Sequence, residues 1–135
     1  MKYNLFLDDV REPKDVTWIK LPDVNWTIVK NYIEFVDTIM KNGIPEIISF
    51  DHDLAQEHYR PSMYNRDRHY NKYYTDGTFK EKTGYECAKW LVKYCMDKNL
   101  PFPVYYVHTM NPIGSENITK YIENYITFGE KTDIY

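Results

Sequence analysis

Three of the four strongest apolar runs in the chain end in residues that carry chemistry. Residues 3–8 read YNLFLD, so Leu5, Phe6 and Leu7 lead directly into Asp8 and Asp9. Residues 46–50 read EIISF and are followed by Asp51, His52 and Asp53. Residues 104–108 read VYYVH, with Asn111 three positions on. The fourth run, WTIV at residues 26–29, has no such ending. Short apolar runs bounded by turn formers read as strands, and runs that do not alternate fit a parallel sheet with helices over both faces. The polar ends of such strands converge on one edge, where open α/β folds place their sites.

Helical spacing fills the intervals. Over residues 32–41, Ile33, Val36 and Met40 are expected to share the buried face, with Ile39 beside them. Asn31 is the expected N-cap, Glu34 completes a variant capping box, Lys41 suits the last turn and Gly43 stops the helix. Over residues 84–98, Thr83 and Glu86 form the start signal, Ala88, Leu91, Val92 and Cys95 the buried stripe, and Asn99 the end. A last helix is expected to begin at Ser115 or Asn117, to bury Ile118, Ile122, Tyr125 and Ile126, and to stop at Gly129 before a loose tail. Residues 11–23 contain Pro13 and Pro22 and read as a loop with one short turn near residues 16–19. With right-handed crossovers this order predicts a single-domain, three-layer α/β sandwich over residues 1–135.

Residues 54–83 break the pattern, with no sustained period. They hold five tyrosines, Tyr59, Tyr64, Tyr70, Tyr73 and Tyr74, and six basic residues against four acidic ones, in a chain of net charge -3. An insertion this long is either a surface excursion or a lid over the carboxylate edge. Its tyrosines and cations either stack bases and clamp phosphate or simply pack the insertion onto the domain.

Composition narrows the partners. A net charge of -3 gives no duplex-DNA footprint. No apolar run approaches the roughly 20 residues that span a bilayer, and charged residues at the N-terminus speak against a signal peptide. Cys87 and Cys95 lie too far apart on one helix to bridge, so reduced core cysteines and a cytoplasmic location are expected.

Asp8, Asp9, Asp51 and Asp53 gather negative charge at two strand ends. Either a hard divalent cation such as Mg²⁺ or Mn²⁺ offsets it, or Arg11 pairs with a carboxylate. His52 and His108 follow apolar strands and suit either acid–base cleavage of a phosphodiester or metal ligation. Residues 111–117, NPIGSEN, precede the last helix; its N-terminal amides and Ser115 form a phosphate seat, or Ser115 merely caps the helix.

LFLDDVR, ISFDHDL, TGYECAKWLV and VHTMNPIGSENI together resemble the cyclic-phosphate processing receiver domains of bacteria and phages. The resemblance covers about residues 4–126. It implies a receiver-like (flavodoxin-like) fold with a parallel sheet of about four strands and a long insertion after the third. It also implies processing of cyclic phosphates on nucleotides or RNA ends, in a bacterial or phage-infected cell. The implied site is Asp8, Asp9, Asp51, His52, Asp53, His108, Asn111 and Asn117. Similarity to ordinary phospho-accepting receivers is partial, because His108 stands where those carry a lysine. The resulting expectation is a metal-assisted phosphoesterase. Asp8, Asp9 and Asp51 hold the ion, and His52, His108 and Asp53 carry the acid–base work. Arg11, Asn111, Ser115 and Asn117 bind the substrate. The alternatives are a non-catalytic nucleotide-binding or protein-interaction domain and a phospho-accepting receiver.

Overall fold

A computed structural model describes residues 2–54 and 83–129. The expected insertion and lid, with its tyrosines, lies almost entirely outside the described residues. Strands β1 (Asn4–Leu7), β2 (Thr27–Val29), β3 (Ile47–Phe50) and β4 (Val104–Val107) form one parallel sheet in the order β2-β1-β3-β4. Among the described residues three helices accompany it: α1 (Tyr32–Asn42), α2 (Gly84–Lys98) and α3 (Pro112–Asn124), the last running into a π-turn at Tyr125–Gly129. This is the receiver-like α/β fold.

Strand alternation sorts the sheet into two faces. Leu5 and Leu7 on β1 register with Ile48 and Phe50 on β3. These four pack with Phe35 and Ile39 of α1, Leu91 and Cys95 of α2, and Ile118 and Ile122 of α3 in one core. Among the described residues, all three helices therefore cover one face of the sheet. The reason is topological. The β2-to-β3 and β3-to-β4 connections cross the sheet in one direction, whereas β1-to-β2 crosses in the other. Right-handed connections then place residues 8–26 on the opposite face. That segment has no helical period; its regular structure is a 3-10 turn at Pro13–Asp15, not the turn expected near residues 16–19.

Two helix readings also shift. In α1 the Asn31 cap is present, accepting from Glu34 N at 2.8 Å, and Gly43 closes the helix at φ 86°. Its buried residues, however, are Phe35 and Ile39, while Met40 faces solvent. The large ring of Phe35, set against Phe50 and Trp90, turns the helix away from the Ile33/Met40 face. Helix α3 begins at Pro112, earlier than Ser115 or Asn117, because Asn111 caps it by accepting from Gly114 N at 3.0 Å. Proline suits that first position, since its missing N–H has no helical partner to lose.

Helix α2 follows its pattern throughout. Thr83 Oγ1 accepts from Glu86 N at 3.4 Å, and Asn99 ends the helix in the left-handed conformation at φ 57°. Gly84 also pins the start of α2 to the end of β3: its N–H donates to His52 O at 2.8 Å, and a Cβ there would overlap the Asp51 carbonyl. Gly84→Ala should accordingly destabilise the fold by about 1–3 kcal/mol or more, as overpacking against fixed backbone does. Urea denaturation followed by circular dichroism measures this. An unchanged midpoint would mean that α2 does not fix the end of β3.

Candidate functional site

The sheet extends one residue beyond its strands. Asp8 N donates to Val29 O at 3.0 Å, Asp51 N to Leu7 O at 2.9 Å and His108 N to Phe50 O at 2.9 Å. Asp8, Asp51 and His108 therefore stand in one row across three strands. Each lies one position past a core residue, so alternation turns it to the face away from the helices, alongside Phe6 and Ser49. All three are buried.

His108 is held on every side. Nε2 lies 3.0 Å from Asp8 Oδ2, and Nδ1 lies 2.7 Å from Ser49 Oγ. Its ring stacks on Phe6 with centroids 4.5 Å apart, and its carbonyl accepts from Trp18 Nε1 at 2.8 Å. Asp8 is equally engaged. Oδ1 accepts from Val10 N at 2.9 Å and Arg11 N at 2.8 Å, and the Arg11 guanidinium stands 3.7 Å from Oδ2. Burial pushes the Asp8 carboxyl up, but the His108 hydrogen bond and the two amides outweigh it and hold its pKa below the ordinary range. Asp51 moves the other way. Burial, then the neighbouring Asp8 charge, raises its pKa despite the opposing His52 amide, His108 and the Thr109 hydroxyl. Asp9 is raised too, by burial first and by Asp8 and Asp53 after it, against its own backbone and Arg11.

An open cleft of about 540 Å³ lies above this row, lined by Asp9, Arg11, Asp51, Asp53, Thr109 and Asn111, with Val10, Met110 and Pro112 among its apolar walls. Asp53 is largely exposed, bonds His52 Nδ1 at 3.0 Å through Oδ1, and meets Asn111 Nδ2 at 3.5 Å through Oδ2. His52 is mostly buried beneath α3, where a Cβ on Gly114 would overlap its ring. The structure thus brings Asp9, Arg11, Asp51, Asp53 and Asn111 to the cleft. Asp8 and His108 are fully buried beside Asp51 in the row and are not among the cleft-lining residues, and His52 is bonded to Asp53. Ser115 and Asn117 lie farther along α3 and are not among the cleft-lining residues. Ser115 N donates to Asn111 O as part of the first helical turn.

Some residues of the site escaped sequence reasoning. Ser49 serves the buried imidazole, Thr109 contacts Asp51, and Trp18 fixes the His108 carbonyl. A signal existed for Ser49, a lone polar residue inside an otherwise apolar strand.

Asp8, Asp51 and His108 each offer a ligand atom, all within 4.8 Å of one another, so this buried cluster could bind a metal ion. The donor set fits one. Burial beside a second carboxylate penalises ionised Asp51, and a divalent cation would offset that penalty. His108 already spends both nitrogens on protein partners, which leaves carboxylate oxygens as the accessible donors.

The model of the cyclic-phosphate processing receiver domain matches residues 3–124, from just before β1 to the last residue of α3. The chain belongs to that family. No curated protein and no solved structure matches it. In this member of the receiver domains that process cyclic phosphates, the match spans every residue of the row and the cleft. Such processing calls for a phosphate-bearing substrate. No helix among the described residues is long and apolar enough to cross a membrane.

The raised pKa of Asp51 gives a prediction with a definite sign. The folded chain binds that proton more tightly than the unfolded chain does. Stability is therefore lost as pH rises from the ordinary carboxylate value, near ~4, through the raised folded value, and it stays lost above that. Asp51→Asn removes the penalty. In chelator at neutral pH it should melt above the wild type, and the gap should close in acid. A variant that melts lower at neutral pH would show that Asp51 stabilises the metal-free fold. Asp8 acts oppositely: its lowered pKa contributes stability above the ordinary value, lost as pH falls through the folded one.

Proposed function

We propose that this receiver-like domain is a metal-assisted phosphoesterase that opens a cyclic phosphate on a nucleotide or RNA end. The observation that carries this reading is the carboxylate row, buried at the sheet edge and opening into a cleft whose wall carries Arg11. Asp51 and Asp9, with Asp8 behind them, would hold Mg²⁺ or Mn²⁺. Such an ion polarises a phosphoryl oxygen and lowers the pKa of a bound water.

The protein's own groups divide the remaining work. Arg11 is held by Asp8 on one side and lies 5.2 Å over the Trp18 ring on the other, so its guanidinium is fixed before an anion arrives. Asn111 uses Oδ1 to cap α3, which leaves Nδ2 turned toward Asp53 at the cleft. The α3 N-terminus behind it adds a positive dipole end. The His52–Asp53 pair carries proton transfer, with Asp53 at the cleft and His52 coupled to it through Nδ1. His108 acts as a positioning residue that favours ionised Asp8 and keeps the buried row rigid. Ser115 and Asn117 support the first turns of α3.

A non-catalytic nucleotide-sequestering domain is the second reading. It is favoured by the burial of His108, which removes one of the two expected imidazoles from the cleft.

Phosphorus NMR with Mg²⁺ or Mn²⁺ and a panel of 2′,3′-cyclic and 3′,5′-cyclic nucleotides and a cyclic-phosphate-ended oligonucleotide separates the readings. Ring opening is expected, abolished in Asp51→Asn and slowed roughly 10²–10⁴-fold in His52→Ala. Ligand recovered intact after tight binding would establish sequestration instead. A second expectation concerns Arg11→Ala, which should raise KM about tenfold or more by removing a charge-assisted contact. An unchanged KM would take Arg11 out of substrate binding.

A further inference from the structure

The mouth of the cleft is apolar in a way that phosphate chemistry does not require. Val10 is 76% exposed, Met110 63% and Ile113 71%, and none of them belongs to the core. Val10, Met110 and Pro112 line the cleft, and Ile113 follows Pro112 in the first turn of α3. Scattered apolar residues on a surface need no explanation, but several gathered at one polar cleft mark a binding surface.

This lip is also organised. Arg11 Nη2 donates to Met110 Sδ at 3.6 Å, and the same guanidinium lies over Trp18. The thioether is therefore oriented by a group that itself faces the cleft. A lone phosphate would engage Arg11 and a cation held by the carboxylates, and would leave the lip in water. A volume of about 540 Å³ falls within the roughly 300–1,000 Å³ of sites that enclose a whole small molecule.

We propose that Val10, Met110 and Ile113 form a nucleobase subsite, so that the site takes nucleoside phosphates in preference to phosphorylated sugars without a base. The inference rests on the phosphate-ester reading above and specifies its substrate. A base offers a flat, polarisable face, which packs well on methionine sulfur and aliphatic carbon. The next group along from the lip is the Arg11 cation, placed as a nucleotide places its phosphate beside its base. The lip's side chains carry no strong hydrogen-bond donor or acceptor to read base edges, so purines and pyrimidines should both be accepted, with the larger purine held more tightly.

The test is calorimetric titration of the full chain, with Mg²⁺ present, by adenosine 2′-monophosphate and by methyl riboside 2-phosphate, which lacks the base. The nucleotide should bind the wild type roughly tenfold more tightly, since stacking one base is of that order. In Met110→Ser and in Ile113→Ser the ratio of the two affinities should fall toward unity. Both positions are exposed, so folding is not at stake, and circular dichroism checks it. Equal affinities in the wild type, or a ratio that survives both substitutions, would overturn the base subsite and leave the phosphate-ester reading standing. If neither ligand binds, the phosphate-ester reading falls and the base subsite falls with it.

Discussion

Everything at the site depends on three backbone hydrogen bonds that carry the sheet one residue past its strands, at Asp8, Asp51 and His108. Parallel strands in register place their next residues side by side, and the two-residue period turns all three side chains to the same face. Proximity that would otherwise cost conformational entropy is thus imposed by the ladder itself. The packing behind the ladder keeps it in place: Leu7, Phe50 and the helices on one side, Phe6 beneath the imidazole on the other.

The row sets two buried carboxylates near one another, and the protein resolves that conflict unevenly. Asp8 receives the hydrogen bonds: two amides, the His108 imidazole and the nearby Arg11. Asp51 receives far less and bears the repulsion. An acid whose ionisation is favoured beside an acid whose ionisation is penalised is a site prepared for a cation. It also explains the placement of Arg11, which satisfies Asp8 while presenting charge to the cleft. The irregular segment between β1 and β2 supplies that arginine and the Trp18 ring that braces it. That segment, whose regular structure is one 3-10 turn, therefore serves the construction of the site.

Much of this was legible in the sequence because the signals were local. Strand ends announced themselves through apolar runs stopping at Asp8, Asp51 and His108. The caps at Asn31 and Thr83 were legible from single side chains and their partners three residues on. What remained hidden depended on tertiary packing. The turn of α1 is set by Phe35 against Phe50 and Trp90, which periodicity over ten residues does not resolve. The early start of α3 had a local signal, Asn111 before Pro112, but the same pair also reads as a turn. The enclosure of His108 depends on Ser49, Phe6 and Trp18, from three separate segments that only the fold brings together. Ser115 and Asn117 drop behind the cleft for the same reason that α3 starts early.

The central claim is that the carboxylates at the sheet edge form a divalent-cation site. Titration of the metal-free protein with Mn²⁺, followed by the loss of the free-ion electron paramagnetic resonance signal, tests it without reference to any substrate. One equivalent should bind, be displaced by excess Mg²⁺ and be lost in Asp51→Asn. Mn²⁺ that stays free, or that binds Asp51→Asn as it binds the wild type, would contradict the account.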